Sequence, residues 1–585
     1  MIKKFLVLLF LALAFVACRS ENDGGTTVNT PPPVSREVEG AAPGEDANVS
    51  VEEGDERLTR HGLDANLRFL EPTQISVGMW DRASERLPDF SQSHWAEWII
   101  ENALADHNLA VNFITIPRWD EQAFLTTLLG AGNAPDIGYT FSFPMVETFA
   151  GMGAITDLAP IVTEYADWAP NMFGLLTRDN VFWNLNPRTG QLWAIEGRLI
   201  ADGRVNTFIR EDWLNTLGIA PPNSLESFEA ALIAFRDNAE LLLGDDAQFM
   251  IPMFMGEDAA WNAQTLIESF IPDSITEREW YVHGFDDRRF MHPTTKEAFR
   301  VVNRWFNDGL IYREFIHANA GNTVHDDQIR LGYVGSMIAN WDLPFRAADR
   351  FTTEMRQHRG PDANFIVVTP FPNDSGQTVK YMPPPVDRKI FFPSTNSNPV
   401  ASLLYLDWIS RASVREYLAF GIEGIHRQTL ENGAIMSLAE DDNHSFPNNM
   451  IFGGLRNFDL TITVNGIDLG DPERTIATLA LNYPGIEPNA VLDARNAGLN
   501  HMRVWRQVQT RPIDSQEGMS TPLNDFRNTI LHNSITASVD NFDSVWDSMF
   551  SQYLAVGGQD IINERRQAWI EEFGDVEFMP NWTGW

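Results

Sequence analysis

"QISVGMW", residues 74–80, is an apolar run of strand length that begins an alternating series of elements. A helical pattern with tryptophans on one face follows over 91–104, and a second strand run, "LAVNFITIP", covers 109–117. A helical pattern over 120–132 then leads to a third strand run, "APDIGYTF", at 134–141. These periods and lengths predict the order β-α-β-α-β. Strands separated by helices must be parallel with right-handed crossovers, so the sequence predicts a doubly wound α/β sheet.

The middle of the chain alternates in the same way. Strand patterns cover 249–256, 329–341 and 364–372, and helical patterns cover 224–237, 293–310 and 399–421. In the second of these helices, Thr294 and Glu297 have the spacing of a capping box. A last amphipathic helical pattern lies at 540–558. We therefore expect two α/β bodies followed by a helical C-terminal part.

Polar and aromatic residues follow the first and third predicted strands. Trp80, Asp81 and Arg82 end the first strand, and Phe141 ends the third. In doubly wound sheets, ligands bind beyond the carboxyl ends of the strands. These residues are therefore candidates for a binding site.

Charge restricts the class of partner. The chain has 80 acidic and 43 basic residues and a formal net charge of -37. Binding to nucleic acid or to an anionic membrane needs Lys and Arg clusters that this composition does not supply. Residues 18–71 are rich in Gly, Pro, Ser, Thr and acid, which predicts a disordered, extended tether. A single cysteine excludes a disulfide within the chain.

The N-terminus has the pattern of a secretory signal: Lys3 and Lys4 precede an apolar run too short to span a bilayer. The sequence Val16-Ala17-Cys18 resembles the lipobox of bacterial lipoproteins. That resemblance implies a signal peptide at 1–17 and a diacylated Cys18, which would be the only membrane attachment. The alternative is an ordinary cleaved signal in which this cysteine has no role.

Patterns of catalysis are absent from the sequence. It contains no H-E-x-x-H, G-x-S-x-G or Walker A motif, and no G-x-G-x-x-G after a strand. The 12 histidines lack metal-ligand spacing. We therefore expect no catalytic residues, no metal site and no cofactor.

The aromatic content is high, with 18 Trp, 38 Phe and 10 Tyr. Trp95, Trp98, Trp305, Trp408 and Trp546 lie on apolar helix faces, which indicates core packing. Four other tryptophans stand close to an acid or amide: Trp80 with Asp81, Trp193 with Glu196, Trp261 with Asn262, and Trp341 with Asp342. Such pairs match the apolar face and hydroxyl rim of a pyranose ring. For any one of them, the alternative is a half-buried Trp with a local acceptor.

Several longer motifs occur in a specific order. "GAITDLAPIVTEY" lies at 153–165, "FIREDWLNTLGIAPPNSLESFEAALIAFRD" at 208–237, and "YLDWISRASVREYLAFGIEGIHR" at 405–427. In these motifs, and over about 72–577 as a whole, the chain resembles the large lipoprotein members of the type-1 extracellular solute-binding proteins. These are receptor subunits of ABC importers for sugars and oligosaccharides. The resemblance implies a periplasmic-binding-protein-like type II fold, with two α/β lobes joined by hinge-crossing strands.

The resemblance also implies domain limits. Lobe one would comprise 72–195 and 388–430, and lobe two 196–387. The segment 431–585 would complete the lobes with helices. Within it, 439–474 is longer and more irregular than the family pattern.

Site residues follow from the same resemblance. Trp341 would stack on a sugar from lobe two, opposite Trp80, Asp81 and Phe141 of lobe one. Asp342 and Glu196 would accept hydrogen bonds from hydroxyl groups, and Trp193 completes the expected ligand-binding set. We expect Trp213 to pack, and His426 is a weaker candidate. Many relatives carry an EF-hand-like loop where this chain has 237–252, but that segment lacks the expected Asp and Gly, which argues against calcium there.

The resulting hypothesis is a monomeric, lipid-anchored receptor on the outer face of the cell membrane that delivers an oligosaccharide to an ABC permease. Two other classes share the aromatic surfaces, namely a surface glycoside hydrolase that uses two acids and a carbohydrate-binding adhesin. A peptide or an acidic saccharide is the alternative ligand. The acidic ligand would require Arg82, Arg210 or Arg427 in the cleft.

Overall fold

Thirteen strands and 21 α-helices are found in the part of the chain that the computed structural model describes. It describes residues 45–579 except 82–92, 187–188, 201–202, 286–290, 319–322, 347–348, 383, 439–459, 484, 506–507, 509, 512 and 517–518. The strands are β1 Thr73–Asp81, β2 Leu109–Pro117, β3 Gly138–Thr140, β4 Ile195–Leu199, β5 Val205–Arg210, β6 Ser336–Asn340, β7 Phe365–Val368, β8 Lys380–Met382, β9 Val386–Phe391, β10 Arg427–Thr429, β11 Ile435–Ser437, β12 Val464–Asn465 and β13 Met502–Val504.

The helices cover both lobes and the C-terminal part. They are α1 Glu56–His61, α2 His94–His107, α3 Glu121–Ala131, α4 Phe143–Gly151, α5 Ala159–Glu164, α6 Pro170–Val181, α7 Glu211–Leu217, α8 Leu225–Asp237, α9 Ala239–Leu243, α10 Gln264–Phe270, α11 Glu277–His283, α12 Thr295–Asn307, α13 Thr323–Arg330, α14 Phe351–Arg359, α15 Pro399–Ile409, α16 Ala412–Phe420, α17 Pro472–Leu481, α18 Pro488–Gly498, α19 Ser520–Thr536, α20 Phe542–Tyr553 and α21 Gln559–Phe573. None of the described helices is long and apolar enough to cross a membrane.

The sheet of lobe one has the predicted parallel start. β1 and β2 pair in parallel along their whole length, and Val77 of β1 forms a parallel bridge with Ile137, next to β3. β9 then pairs antiparallel with both β3 and β4, and β12 pairs in parallel with β4. The order across the sheet is therefore β2-β1-β3-β9-β4-β12.

The sheet of lobe two contains a central strand that the sequence did not predict. β5 lies between β6 and β7 and is antiparallel to both. The predicted strand at 249–256 is reduced to isolated parallel bridges, in which Ile251 pairs with Val334 and Phe254 with Met337. The three segments predicted as strands are nevertheless parallel to one another, because β6 and β7 are both antiparallel to β5 and the segment at 249–256 bridges β6 in parallel. The sequence did not predict β5, which enters this lobe from the hinge and takes the central place.

Each lobe has its own core. The core of lobe one includes Trp168, Tyr405 and Trp408, and that of lobe two includes Trp305 and Trp569, all fully buried. The tryptophans predicted to pack do so: Trp95, Trp305, Trp408 and Trp546 are buried, and Trp98 packs against the core of lobe one. A further cluster around Phe208 and Tyr483 belongs to lobe two. Separate cores allow the lobes to move as bodies.

The described chain passes between the lobes at three places. It leaves β4 at Leu199 and enters β5 at Val205, and it returns from β8 at Met382 to β9 at Val386. The third passage leads from β12 at Asn465 to α17 at Pro472. We call these three passages the hinge.

Residues 45–71 belong to lobe one, so the prediction of a disordered tether was wrong for this part of 18–71. Leu58, Leu63, Leu67 and Phe69 are buried in the core of lobe one. The Arg57 side chain binds Asp167 at 2.8 Å and donates to the Glu164 carbonyl oxygen at 2.8 Å. The composition was polar, but a few spaced apolar residues are enough to fix the segment.

The C-terminal part is shared between the lobes. Leu460, Ile462 and Val464 join the core of lobe one, whereas α17 to α21 pack on lobe two. Asn303 of α12 donates from its amide to the carbonyl oxygens of Ser534, Ile535 and Ala537, which fixes the end of α19. Most of the segment singled out at 439–474 lies outside the described residues, and its end supplies β12.

Candidate functional site

The edges of the two sheets that meet at the hinge form the candidate site. In lobe one, the carboxyl ends of β1, β2 and β3 lie at the edge from which β4 leaves and to which β9 returns. In lobe two, the corresponding edge holds the start of β5 and the ends of β6 and β7. Because short passages connect these edges, they face each other across a cleft.

The edge of lobe one carries an aromatic and guanidinium cluster. The rings of Trp80 and Phe141 lie 4.3 Å apart between centroids, tilted by 33°. The Arg118 guanidinium lies 4.7 Å from each centroid, and Arg388 lies 5.9 Å from Trp80 and 5.8 Å from Phe141. Glu121 binds Arg118 at 3.3 Å and accepts from a threonine hydroxyl of β3. Cation–π contacts of this kind hold the cluster in place.

Exposure within this cluster differs from the sequence prediction. Trp80 is only 1% exposed, so in this structure its ring does not offer an open stacking face. Phe141 is half-buried, and so is Asp81 at the end of β1. Phe141 is therefore the aromatic surface that a ligand would meet first, with Trp80 supporting it from behind.

Glu196 is part of the sheet interior. It is 0% exposed, and its carboxylate accepts from Asn184 Nδ2 at 2.7 Å and from Lys389 Nζ at 3.2 Å. Burial raises the pKa of Glu196 to about 7, although Lys389 and Asn184 act in the opposite direction. The expected role as an open hydroxyl acceptor does not fit this burial. Nearby Trp193 is half-buried and packs against the core of lobe one.

The predicted residues of lobe two are also covered. Trp341 follows β6 and is 9% exposed, with its ring edge-on to Tyr483 at 6.1 Å. Gly203 of the hinge lies so close that a Cβ there would be 2.5 Å from Trp341 Cγ. Asp342 is buried and binds Arg346 at 2.6 Å, while it accepts from the Tyr483 hydroxyl at 3.2 Å. Trp341 and Asp342 thus make packing and polar contacts next to the hinge in lobe two.

A second aromatic and guanidinium pair lies in lobe two and was not in the predicted site. The Arg204 guanidinium is 5.1 Å from the ring centroid of half-buried Trp261. The neighbouring Asn262 accepts from Gly256 N at 2.9 Å and donates to the Ile338 carbonyl oxygen of β6 at 3.1 Å. The Trp261-Asn262 pair was a sequence signal for this position. Arg118, also missed, directly follows the carboxyl end of β2, where the same strand-end signal applies.

The weaker candidates make structural contacts. Arg210 is buried and binds Asp212 at 2.6 Å, and Arg427 pairs with Glu416. His426 Nδ1 accepts from Ile422 N at 3.0 Å. Trp213 is buried and packs against Phe235 at 5.1 Å. Arg82 and Cys18 lie outside the described residues.

The segment 237–252, which the sequence resemblance aligns with a calcium loop of other proteins, is largely helical. α8 ends at Asp237, α9 follows, and a 3-10 turn covers Gly244–Phe249. Asp237 binds Arg236 at 2.8 Å and Asp246 binds Arg359 at 2.8 Å, so these two carboxylates are engaged in ion pairs. Within the described ranges, no group of three or more His, Cys, Asp or Glu could hold a metal ion.

Solved structures share this architecture. No protein-family model matches the chain, and no curated protein matches it by sequence. The fold is similar to that of the alginate-binding protein AlgQ2, solved without calcium ion, at 16% identity and a TM-score of 0.60 over 86% of this chain and 98% of that one.

Two further structures are similar. One is an HMO-binding, ABC-transporter-associated solute-binding protein from Bifidobacterium longum infantis, at 14% identity and a TM-score of 0.57 over 85% and 98% of the two chains. The other is an EF-hand mutant of the S. pneumoniae substrate-binding protein FusA in complex with fructo-nystose. It has 13% identity and a TM-score of 0.56, over 86% of this chain and 99% of that one. At these identities the likeness establishes the fold. The chain has the periplasmic-binding-protein-like type II α/β fold, with two lobes.

Proposed function

We propose that this chain is the solute-binding subunit of an ABC importer and captures an oligosaccharide between its two lobes. The observation that carries the proposal is the pairing of aromatic and guanidinium groups on both facing edges, Phe141 with Arg118 and Trp261 with Arg204. Aromatic faces match the C–H face of a sugar ring, and guanidinium groups donate to its oxygens. Such a site recognises its ligand without a covalent step.

The solved structures support this reading of the ligand. The similar structures are those of an alginate-binding protein, an HMO-binding protein and a FusA mutant in complex with fructo-nystose, which makes an oligosaccharide the first class to test. We also propose that the chain is a member of the type-1 extracellular solute-binding proteins. The proposal includes that it binds its saccharide and does not hydrolyse it.

Lobe closure is the proposed mechanism. The ligand favours the closed state only by the additional contacts that it makes there. Contacts with both edges at once exist only when the lobes are together, so binding energy from the second lobe drives closure. We propose that the closed, loaded form is what the permease recognises, and that the receptor acts as a monomer.

The test is a binding screen on the chain lacking residues 1–18. Ligands that bind the folded form raise its melting temperature with concentration. We expect such a shift with one class of oligosaccharide, together with compaction in solution scattering and no change of the sugar. A shift with a peptide pool alone would overturn the saccharide assignment. Cleavage of the sugar would favour the hydrolase, and binding without compaction the adhesin.

Membrane attachment gives a separate prediction. We propose that residues 1–17 are a signal peptide and that a diacylated Cys18 holds the protein on the outer face of the cell membrane. Two acyl chains anchor stably, whereas one binds only marginally. Cys18→Ser should therefore move nearly all of the protein from the membrane to the soluble fraction, with saccharide affinity unchanged. Equal membrane association of both forms after cell fractionation would contradict the anchor.

A further inference from the structure

A cavity of about 410 Å³ lies at the margin of the hinge, away from the aromatic edge. It is lined by α6 and the start of α16 in lobe one, by Arg198 of β4 and Asp468 after β12, and by α17 and α18 in lobe two. Trp80 and Phe141 follow β1 and β3, and the sheet order places β9 and β4 between those strands and β12. In lobe one, β9 and β4 therefore lie between this cavity, called the hinge cavity below, and the aromatic edge of the proposed saccharide site.

The charge of the hinge cavity is opposite to that of the whole chain. Three arginines line it, against only two acids, Glu45 and Asp468, in a protein of formal net charge -37. Arg198 binds the Asp468 carboxylate at 2.7 Å, and Arg415 donates to the Asp468 carbonyl oxygen at 2.8 Å. Arg495 of α18 approaches from lobe two. One aspartate thus positions two guanidinium groups of lobe one at a cavity that a third arginine, from lobe two, also lines.

Apolar side chains form another part of the wall, which also includes polar residues such as Asn171 and Ser410. Ile200, Ile467 and Ile476 line the cavity beside the arginines. An inorganic anion would leave this surface without a partner, whereas an organic anion would cover it. The volume falls within the usual range of small-molecule sites.

The backbone at the cavity wall is strained. Thr177 has φ 61° and ψ 161° inside α6, where it interrupts the helix, and it lines the cavity. This region is essentially restricted to glycine, and a β-branched residue there is a genuine outlier. Strain of this kind is concentrated at ligand-binding and switch regions. The outlier is an observation independent of the charge.

We propose that the hinge cavity binds a small organic anion, with its carboxylate held between the lobe-one arginines and Arg495 and its hydrocarbon part on the isoleucines. Guanidinium groups bind carboxylates through paired, charge-assisted hydrogen bonds. Because both lobes contribute walls, the anion and the saccharide act on the same lobe movement, and each changes the affinity of the other by the same factor. This coupling rests on the proposed function, whereas anion binding itself does not.

Isothermal titration of the full chain in detergent, with adipate as the probe, tests the site. We expect saturable binding, with little response to 1,6-hexanediol, which lacks the charges, or to sulfate, which lacks the hydrocarbon. Arg495→Gln should weaken adipate binding about tenfold or more, since it removes a charged hydrogen-bond donor. Arg350→Gln, at an exposed arginine of lobe two that pairs with Glu354, is the matched control and should leave binding unchanged.

The outcomes separate the two proposals. Equal adipate affinity in Arg495→Gln and the parent, or an equal response to sulfate or hexanediol, overturns the site. If Arg495→Gln fails to fold, Ile476→Asp places a carboxylate in the cavity and should abolish adipate binding, and unchanged binding there overturns the site as well. Saccharide titrations are run separately on the parent chain. If the parent binds adipate but none of the saccharides, that result counts against the proposed function alone.

Discussion

Replacing Lys389 with alanine is expected to lower the free energy of unfolding by about 3–5 kcal/mol at pH 8.5, because it leaves the Glu196 carboxylate buried without its cation. Glu196 is fully buried, and Lys389 Nζ lies 3.2 Å from its carboxylate. The pair joins β4 to β9, the two strands through which lobe one meets the hinge. Urea unfolding of the parent and the variant measures the loss.

The pH dependence identifies the cause. The pKa of Glu196 is raised from 4.5 to about 7 in the folded state, so this group's contribution to stability is fully present below 4.5 and is lost as the pH rises through 7. Removing Lys389 raises the folded pKa further. The variant can then keep its carboxyl group protonated at pH 6, and the loss there should be clearly smaller than at pH 8.5.

Two controls belong to this experiment. The double variant Lys389→Ala with Glu196→Gln removes the buried charge and should abolish most of the difference between pH 6 and pH 8.5. Lys296→Ala breaks a surface pair with Asp543 and Asp547 and should cost no more than about 1 kcal/mol. A loss in Lys389→Ala that is the same at both pH values would show that the lysine acts through packing and not through charge.

Local periodicity predicted lobe one well, because its first strands pair through short, sequential crossovers. β1, β2 and the chain at β3 are parallel as expected, and α2 carries Trp95 buried and Trp98 packed against the core, as predicted. The predicted helix cap was wrong in its side-chain bond. Thr294 stands at the start of α12 without a side-chain capping bond, whereas the capping box forms at Thr276 and Glu279. The spacing of a capping box permits this bond, and the backbone geometry at the N-cap decides whether it forms.

Long-range contacts explain what the sequence could not predict. β5 lies between two strands far along the chain, and no local pattern encodes that antiparallel order. The strand ends themselves were placed correctly, since Trp80, Asp81 and Phe141 lie at the carboxyl ends of β1 and β3. Exposure was not predictable in the same way: Arg118 lies over Trp80, and Gly203 lies against Trp341, so both rings are covered by residues remote in sequence or at the hinge.

Loss of the two half-buried rings at the facing edges should have the largest effect on the proposed saccharide binding. Phe141→Ala and Trp261→Ala are each expected to weaken binding about 10- to 100-fold, because aromatic anchors at the centre of an interface carry about 1.5–3 kcal/mol. The rings belong to different lobes but are proposed to bind the same ligand, so the double variant should lose more affinity than either single variant, and its departure from the sum measures their coupling through closure. The affinities are measured by titrating the protein with the oligosaccharide identified in the screen, with tryptophan fluorescence or calorimetry as the readout.

The matched control for Phe141→Ala is Phe249→Ala, which removes a phenylalanine that stacks on Tyr333 at the surface of lobe two, away from both edges. It should bind the saccharide like the parent. Because Phe141 is half-buried and Trp80 lies behind it, Phe141→Ala should also stay folded, which the melting curve checks. If both cleft variants are folded and bind as tightly as the parent, the aromatic pairs at the edges are not the saccharide site. If only Phe141→Ala loses binding, the ligand is held by lobe one, and Trp261 adds little contact on closure. That result would favour the open site of an adhesin over a receptor whose lobes close on the ligand.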